Sequence, residues 1–330
     1  MSNYMKHGLV AKVLAMVLVI SLVFGMAACG TKDQGNTTSS AAQGGDVKKI
    51  SVVATTTFLA DMAKVLVGDQ VEVIPLMGVG IDPHQYKASA GDIEKLQNAS
   101  IVLYHGLHLE GKMGDIFEGL TKQGKTIIVV EKAYENTDLL ADEDNPEIFD
   151  PHVWFDVQLW KKAVKYVADQ FSQVEGIDKA KVAEKLAAYE KELDELHKYV
   201  ADRANEVESS KRVLITAHDA FRYFGRAYGF EVKGLQGIST DAEAGINDVT
   251  NLADFIVERK IKAIFVETSV PTKNIQSLQD AVKSKGEEVG LGGELYSDSL
   301  GDEASGHATY ILTIKANIDT IVDALIKGNQ

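Results

Sequence analysis

Three histidines in this chain stand just past short apolar runs, in Ile81-Asp82-Pro83-His84, Phe149-Asp150-Pro151-His152 and Leu214-Ile215-Thr216-Ala217-His218. A fourth strand-like run, Gly293-Glu294-Leu295-Tyr296, ends at Ser297-Asp298. Three imidazoles and one carboxylate form a donor set for a divalent transition metal. Ligands of open α/β sheets bind beyond the carboxyl ends of the strands, which is where these side chains fall. Two of the histidines share Asp-Pro-His, in which the proline fixes the backbone just before the imidazole and limits its orientations. Any one of these histidines alone reads as a hydrogen-bonded loop or core residue. Four such placements together, two from each half of the chain, make that reading far weaker for the set than for any one residue.

The elements that would position them follow from periodicity. A β-branched run at 50–54 is followed by a helical pattern through Phe58, Leu59, Met62, Val65 and Leu66. The alternation continues with strands at 71–75, 101–104 and 126–130 and helices near 92–97 and 112–120. After residue 208 it resumes, with strands at 213–216, 232–235 and 261–266. The helices there are expected at 219–228, 241–259, 274–285 and 311–326. Strands alternating with helices imply a largely parallel sheet in each half. Thr240 and Glu243 have capping-box spacing and place the start of one helix at 241.

Between these halves, 178–208 contains neither Gly nor Pro. It carries Val182, Leu186, Tyr189, Leu193, Leu196, Val200 and Val207 as one stripe. At 1.5 Å per residue such a helix runs about 45 Å, enough to cross the back of two lobes. Arg203 interrupts the stripe, and packing within the chain is favoured over a coiled-coil seam. With 330 residues, two lobes are expected: 49–177 and 209–330, joined by 178–208.

The N-terminus reads as an export signal. Lys6 and Lys12 flank the start of an apolar run that begins at Val13 and reaches Met26-Ala27-Ala28-Cys29. A membrane span takes about 20 apolar residues, and 13–28 offers sixteen. Residues 1–28 are therefore expected to be removed. Cys29 is the only cysteine, so disulfides contribute nothing to the fold. From Gly30 the chain is Gly, Ser, Thr, Gln and Asn with almost nothing apolar, a flexible tether over 29–48 with a reach of roughly 20 to 25 Å. The net charge is −14, and 1–28 is basic, so the remainder carries −16 and repels nucleic acid.

One motif is a decoy. Gly119-Leu120-Thr121-Lys122-Gln123-Gly124-Lys125-Thr126 fits the phosphate-loop pattern. That loop must follow a strand and open a helix, whereas here a helix comes first, so a plain helix-to-strand turn is expected. His105 and His108 follow the 101–104 strand near the cleft but are assigned no ligand role. His197 is expected to be solvated on the long helix and His307 to lie in a loop. Glu267, at the end of Ile264-Phe265-Val266, is a candidate for the outer partner that orients a histidine.

Taken together, these motifs resemble the zinc and manganese solute-binding proteins of bacterial ABC importers, also known as periplasmic solute-binding protein family 9. The resemblance runs from about Lys49 to the C-terminus. It is carried by Gly80-Ile81-Asp82-Pro83-His84, Asp150-Pro151-His152-Val153-Trp154, Thr216-Ala217-His218-Asp219-Ala220-Phe221, Gly234-Leu235-Gln236-Gly237-Ile238-Ser239 and Gly293-Glu294-Leu295-Tyr296-Ser297-Asp298. It implies an α/β fold of two Rossmann-like lobes with parallel sheets, joined by one long rigid helix, with the metal site in the interlobe cleft. His84 and His152 would come from the first lobe, His218 and Asp298 from the second. The implied ligand is one transported Mn2+ or Zn2+, and the implied partner is the importer's permease with its cytoplasmic ATPase. The small residues before Cys29 resemble the lipobox of bacterial lipoproteins, with Met26 where leucine is usual. This implies a monomer anchored by lipid to the outer face of the cytoplasmic membrane.

Other classes are weighed against this one. A catalytic zinc keeps a position open beside three protein ligands, and four protein ligands close the usual shell. Neither His-Glu-x-x-His nor Gly-x-Ser-x-Gly is present, which disfavours a hydrolase. A lipoprotein adhesin with a structural metal is the other alternative, although nothing in the sequence specifies a receptor. Nitrogen and oxygen sites bind zinc more tightly than manganese. Yet 136–149 lacks the His-rich stretch of dedicated zinc members, and some manganese members have glutamate at the place of His218. The wording of 234–239 resembles members serving manganese or both metals, which tips the expectation to manganese. Metal held first by one lobe's histidines is expected to draw in the other lobe's ligands and make a shape the permease recognises. Ligation needs neutral imidazoles, so capture is expected to weaken as pH falls through about 6.5.

Overall fold

The structure, a computed structural model, describes residues 49–142 and 145–327. The leader, Cys29 and the tether lie outside the described residues. Strand β1 (Ser51–Ala54) is buried along its whole length. It pairs in parallel with β2 (Glu72–Pro75) and β3 (Ile101–Tyr104), and β3 pairs with β4 (Thr126–Val129). The sheet order is β2-β1-β3-β4. A parallel sheet covered on both faces needs continuous apolar strands rather than alternating ones, which is why Val52 and Val53 are both buried. The crossovers are α1 (Thr57–Val67), α2 (Ala90–Asn98) and α3 (Gly114–Lys122). Lys125 of the phosphate-loop look-alike lies between α3 and β4. Its Nζ donates to the carbonyls of Gln97 and Ala99 at 2.7 Å each, closing the end of α2.

Sequence periodicity passed over one helix, α4 (Val157–Phe171). Its buried face is Val157, Leu159, Trp160, Ala163, Val164, Val167, Ala168 and Phe171, and Asp156 caps it by accepting from Gln158 N. Helix α5 (Lys179–Asn205) has 27 residues, about 40 Å at 1.5 Å each. Asp178 caps its start, and its buried stripe includes Val182, Tyr189, Leu193, Leu196 and Val200. The stripe packs on α1 and α4 and also on α6 (Arg222–Tyr228) and α9 (Tyr310–Lys327), elements from both sides of α5 in sequence. Arg203 reaches Asp319 and Asp323 of α9 at 2.8 Å each. The apolar face is thus covered by its own chain, as expected.

Beyond α5, β5 (Val213–His218) pairs in parallel with β6 (Glu231–Gln236), and β7 (Ala263–Glu267) with β8 (Gly290–Leu295). The two pairs meet where β5 lies beside β7. They are packed by α7 (Ile246–Arg259) and α8 (Lys273–Ser284). Helix α7 starts at Ile246, not at 241. Asp248 accepts from Gly245 N at 2.8 Å and supplies the N-terminal cap, while the Thr240 hydroxyl, expected to cap, donates to Asp82 Oδ2 at 2.5 Å. Gly234 lets β6 pass against the end of β5, because a Cβ there would sit 2.4 Å from Asp219 N. The largest core cluster runs through both halves, from Phe58 and Trp154 to Phe265, Leu295 and Tyr310.

Candidate metal centre

Each of the four residues expected to bind metal leaves the carboxyl end of a strand or the loop beyond it, and each is buried. The repeated Asp-Pro-His builds the same small device twice. Asp82 Oδ1 accepts from His84 N at 2.8 Å, and Asp150 Oδ1 accepts from His152 N at 2.9 Å. His152 goes further, since its Nδ1 lies 2.8 Å from the same Asp150 oxygen. His218 closes β5, and Glu267 closes β7 beside it. Glu267 Oε1 accepts from His218 N at 2.9 Å, and Oε2 lies 2.5 Å from His218 Nδ1. A carboxylate against Nδ1 requires the proton there, which turns the Nε2 lone pair of both rings inward. Asp298, past β8, takes the Ser269 hydroxyl on Oδ2 at 3.3 Å. Among the described residues its buried Oδ1 has no close hydrogen bond and faces His152 Nε2 at 3.4 Å.

The inward atoms converge. His152 Nε2 is 3.3 Å from His84 Nε2, 3.3 Å from His218 Nε2 and 3.4 Å from Asp298 Oδ1. His218 Nε2 is 3.4 Å from Asp298 Oδ2. One ligand atom from each of the four residues lies within 4.8 Å of all the others. A tetrahedral ion with bonds of about 2.0–2.1 Å sets its donors about 3.3–3.4 Å apart. The three edges at His152 Nε2 have that length and the whole set lies within 4.8 Å, so these residues could surround such an ion.

The electrostatics give the same demand for a cation. Burial holds the His84 ring down at about 3, so it is a neutral donor. Burial also opposes a proton on His152, but the hydrogen bond and charge of Asp150, then Asp298, outweigh it and push the ring up to about 9. His218 is raised in the same way, against burial, by the charges of Glu267 and Asp298. Asp298 is held well below the usual carboxylate range, because His218 and His152 outweigh its burial. Lone pairs converging at 3.3 Å repel unless a proton or a metal lies between them, and a metal must displace the protons.

All four predicted ligands are therefore brought together, and Glu267 sits on His218 as anticipated. Asp150 was missed as an orienting partner, although the twice-repeated Asp-Pro-His was the available signal. The other histidines stand apart. His105 is buried, with Nε2 2.8 Å from Thr56 Oγ1, and the Trp154 ring lies 5.0 Å from it and 5.2 Å from His152. His108 is exposed. His197 is half-buried against Tyr228 OH at 3.1 Å rather than solvated, because α6 packs on that face of α5. His307 lies 3.1 Å from Tyr296 OH.

Three imidazoles and a carboxylate gathered on the strand-end side of a parallel α/β fold form a group that could hold a metal ion, the mark of a metal-binding protein. Residues 52–324 match the family of the zinc-uptake complex component A, periplasmic, and the chain belongs to that family. It is 44% identical over 317 residues to the zinc-binding protein TroA of Treponema pallidum, covering 96% of this chain and 99% of that protein. It is 41% identical over 310 residues to the manganese-binding lipoprotein MntA of Bacillus subtilis, covering 94% and 98%. The solved structure of the periplasmic zinc binding protein TroA from Treponema pallidum matches with a TM-score of 0.81 at 46% identity, covering 84% of this chain and 99% of that one.

Proposed function

We propose that this chain is an exported receptor that captures one Mn2+ or Zn2+ with His84, His152, His218 and Asp298 and passes it to the permease of an ABC importer. The observation that carries this reading is the convergence of one ligand atom from each of four buried residues to within 4.8 Å, with three contacts of 3.3–3.4 Å at His152 Nε2. Four protein ligands leave no open position for an activated water, so the site holds an ion rather than reacting with a substrate. Asp298 turns one oxygen to His152 and the other to His218, which suits either one-oxygen or two-oxygen ligation.

The family membership and the names of the zinc- and manganese-binding relatives support the same reading. We place the boundary between lobes at α5, with 49–177 before it and 209–330 after it. Acylation of Cys29 and a tether of 29–48 would hold a monomer at the outer face of the cytoplasmic membrane. Metal content and melting temperature of the purified protein test the proposal, after chelator stripping and addition of Mn2+ or Zn2+. One ion per chain and a rise in melting temperature that Asp298→Ala loses are expected. No retained ion and no rise would overturn the reading, and competition between the two metals ranks them.

A further inference from the structure

Of the four site residues, His84 alone has an exposed residue directly beside it, Gln85. Gly78, Val79, Ile81, Gln85 and Lys87 around it are exposed, whereas the runs 150–155, 213–218 and 297–300 are buried throughout. His84 therefore lies nearest to solvent of the four, 4% exposed against 0–1% for the others. What holds His84 in place is consequently what holds the ion. Its ring has no carboxylate set against it like those of His152 and His218, and its backbone N–H is fixed by Asp82 Oδ1. The other oxygen of Asp82 takes the Thr240 hydroxyl at 2.5 Å, and the Thr240 carbonyl takes the Gln85 side-chain amide at 2.8 Å. One residue of the loop between β6 and α7 thus grips the chain on both sides of His84, at positions 82 and 85.

Thr240 is itself buried, while Ser239 carries its hydroxyl to its own loop and Asp241 faces solvent. The hydroxyl has been withdrawn from the helix cap that its spacing suited and spent on Asp82. We infer that Thr240 is a positioning residue for His84, a latch between the two halves of the chain that sets how fast the ion leaves. This rests on the metal-site reading above. Opening the latch frees His84 while leaving the cage of His152, His218 and Asp298 and its carboxylate partners intact. A hydrogen bond to a charged group is worth enough to change a rate by about tenfold or more.

The test is release of Zn2+ from the loaded full chain into excess chromogenic chelator, followed by stopped flow. Wild type holding one Zn2+ per chain establishes the site, and wild type holding none overturns the site and this inference together. With the site established, Thr240→Val, which keeps the shape and removes the hydroxyl, is expected to release about tenfold faster while the metal-free protein still folds cooperatively. Thr240→Ser, which keeps the hydroxyl, is expected to stay within about twofold of wild type. Release from Thr240→Val within twofold of wild type would overturn the inference, as would equal acceleration by Thr240→Ser. If Thr240→Val does not fold, Gln85→Leu removes the second tie from the exposed side. Faster release supports the latch, and an unchanged rate overturns it.

Discussion

His84 and His152 carry the same three-residue sequence and the same backbone hydrogen bond to an aspartate two residues back, yet they sit in opposite surroundings. The run 150–155 is buried, and Trp154 stacks on Phe58 with centroids 5.0 Å apart. Trp154 donates from Nε1 to Ser297 O at 3.0 Å, Tyr310 OH donates to Trp154 O at 2.7 Å and Tyr223 OH to Asp150 O at 2.8 Å. Those three bonds reach across to elements after α5 and lie inside a dry aromatic core. Around His84 the ties across the chain are polar, from the buried Thr240 to Asp82 and to the exposed Gln85, with no aromatic packing of that kind behind them. The motif fixes the local geometry of the imidazole. The packing around the motif decides whether that geometry can be undone.

The most severe way to test this contrast is to remove each imidazole. His152 lies against all three of the other candidate ligands, so His152→Ala removes the central donor and leaves the buried Asp298 with one imidazole fewer. That defect costs about 3–5 kcal/mol for a buried pair, two to four decades of affinity. His84→Ala, at the solvent side, is expected to cost about tenfold to a hundredfold. Equilibrium competition against a chelator of known affinity measures both, and equal losses would erase the distinction.

Stability separates the two regions next. Trp154→Ala is expected to lose about 3–5 kcal/mol in denaturant unfolding, because it empties a fully buried indole site. Gln85→Ala, on an exposed residue, is expected to stay within about 0.5 kcal/mol. A loss at Gln85 comparable to that at Trp154 would mean that the His84 loop is part of the core.

Protons provide a third and smaller probe. His152 is raised to about 9 from an ordinary value near 6.5. Its protonated form therefore stabilises the metal-free fold fully below pH 6.5, and that contribution is lost as pH rises through 9. Metal competes with the same proton, so affinity is expected to rise across this window and binding to release protons at pH 7. Calorimetry in buffers of different ionisation heat counts them. The sequence alone placed the change near 6.5, and Asp150 is what moves it upward. Asp150→Asn is expected to return the window toward 6.5 and to cost about 10- to 100-fold in affinity. His84, neutral throughout, adds nothing to the proton count, so His84→Ala should leave it unchanged.

Much of this was legible without coordinates, and the limits have physical causes. Strand β3 is an unmixed apolar run between polar turns, and it falls at 101–104 as periodicity placed it. The stripe of α5 survives because 27 residues average out local exceptions such as Arg203. Helix α4 went unseen although Leu159, Trp160, Ala163, Val164 and Val167 have helical spacing. It follows a long irregular stretch with no strand directly before it, so the strand–helix alternation that locates the other helices is broken there. The four candidate residues stood out because each follows a short apolar run and belongs to a motif, although His84 and His152 lie in loops well beyond β2 and β4. Thr240 did not, because its hydroxyl suits a local cap and only the fold reveals that Asp82 lies closer. Side chains that act across the chain leave no local spacing to find.

The smallest expected effect tests whether the ties at His84 act through a buried hydroxyl or through charge at the surface. Lys112 Nζ lies 2.9 Å from Asp241 Oδ2, next to Thr240, with side chains 34% and 45% exposed. Exposed pairs of this kind contribute about 0.2–1 kcal/mol and are screened by salt. Lys112→Ala is therefore expected to change the metal release rate by less than about twofold at physiological ionic strength and not at all in 1 M salt, where the screening length falls to about 3 Å. Thr240→Val should keep its effect at both salt concentrations, since its bond to Asp82 is shielded from solvent. If Lys112→Ala released metal as fast as Thr240→Val and salt erased both effects, the loop would be held by surface charge, and His84 would differ from His152 only in exposure.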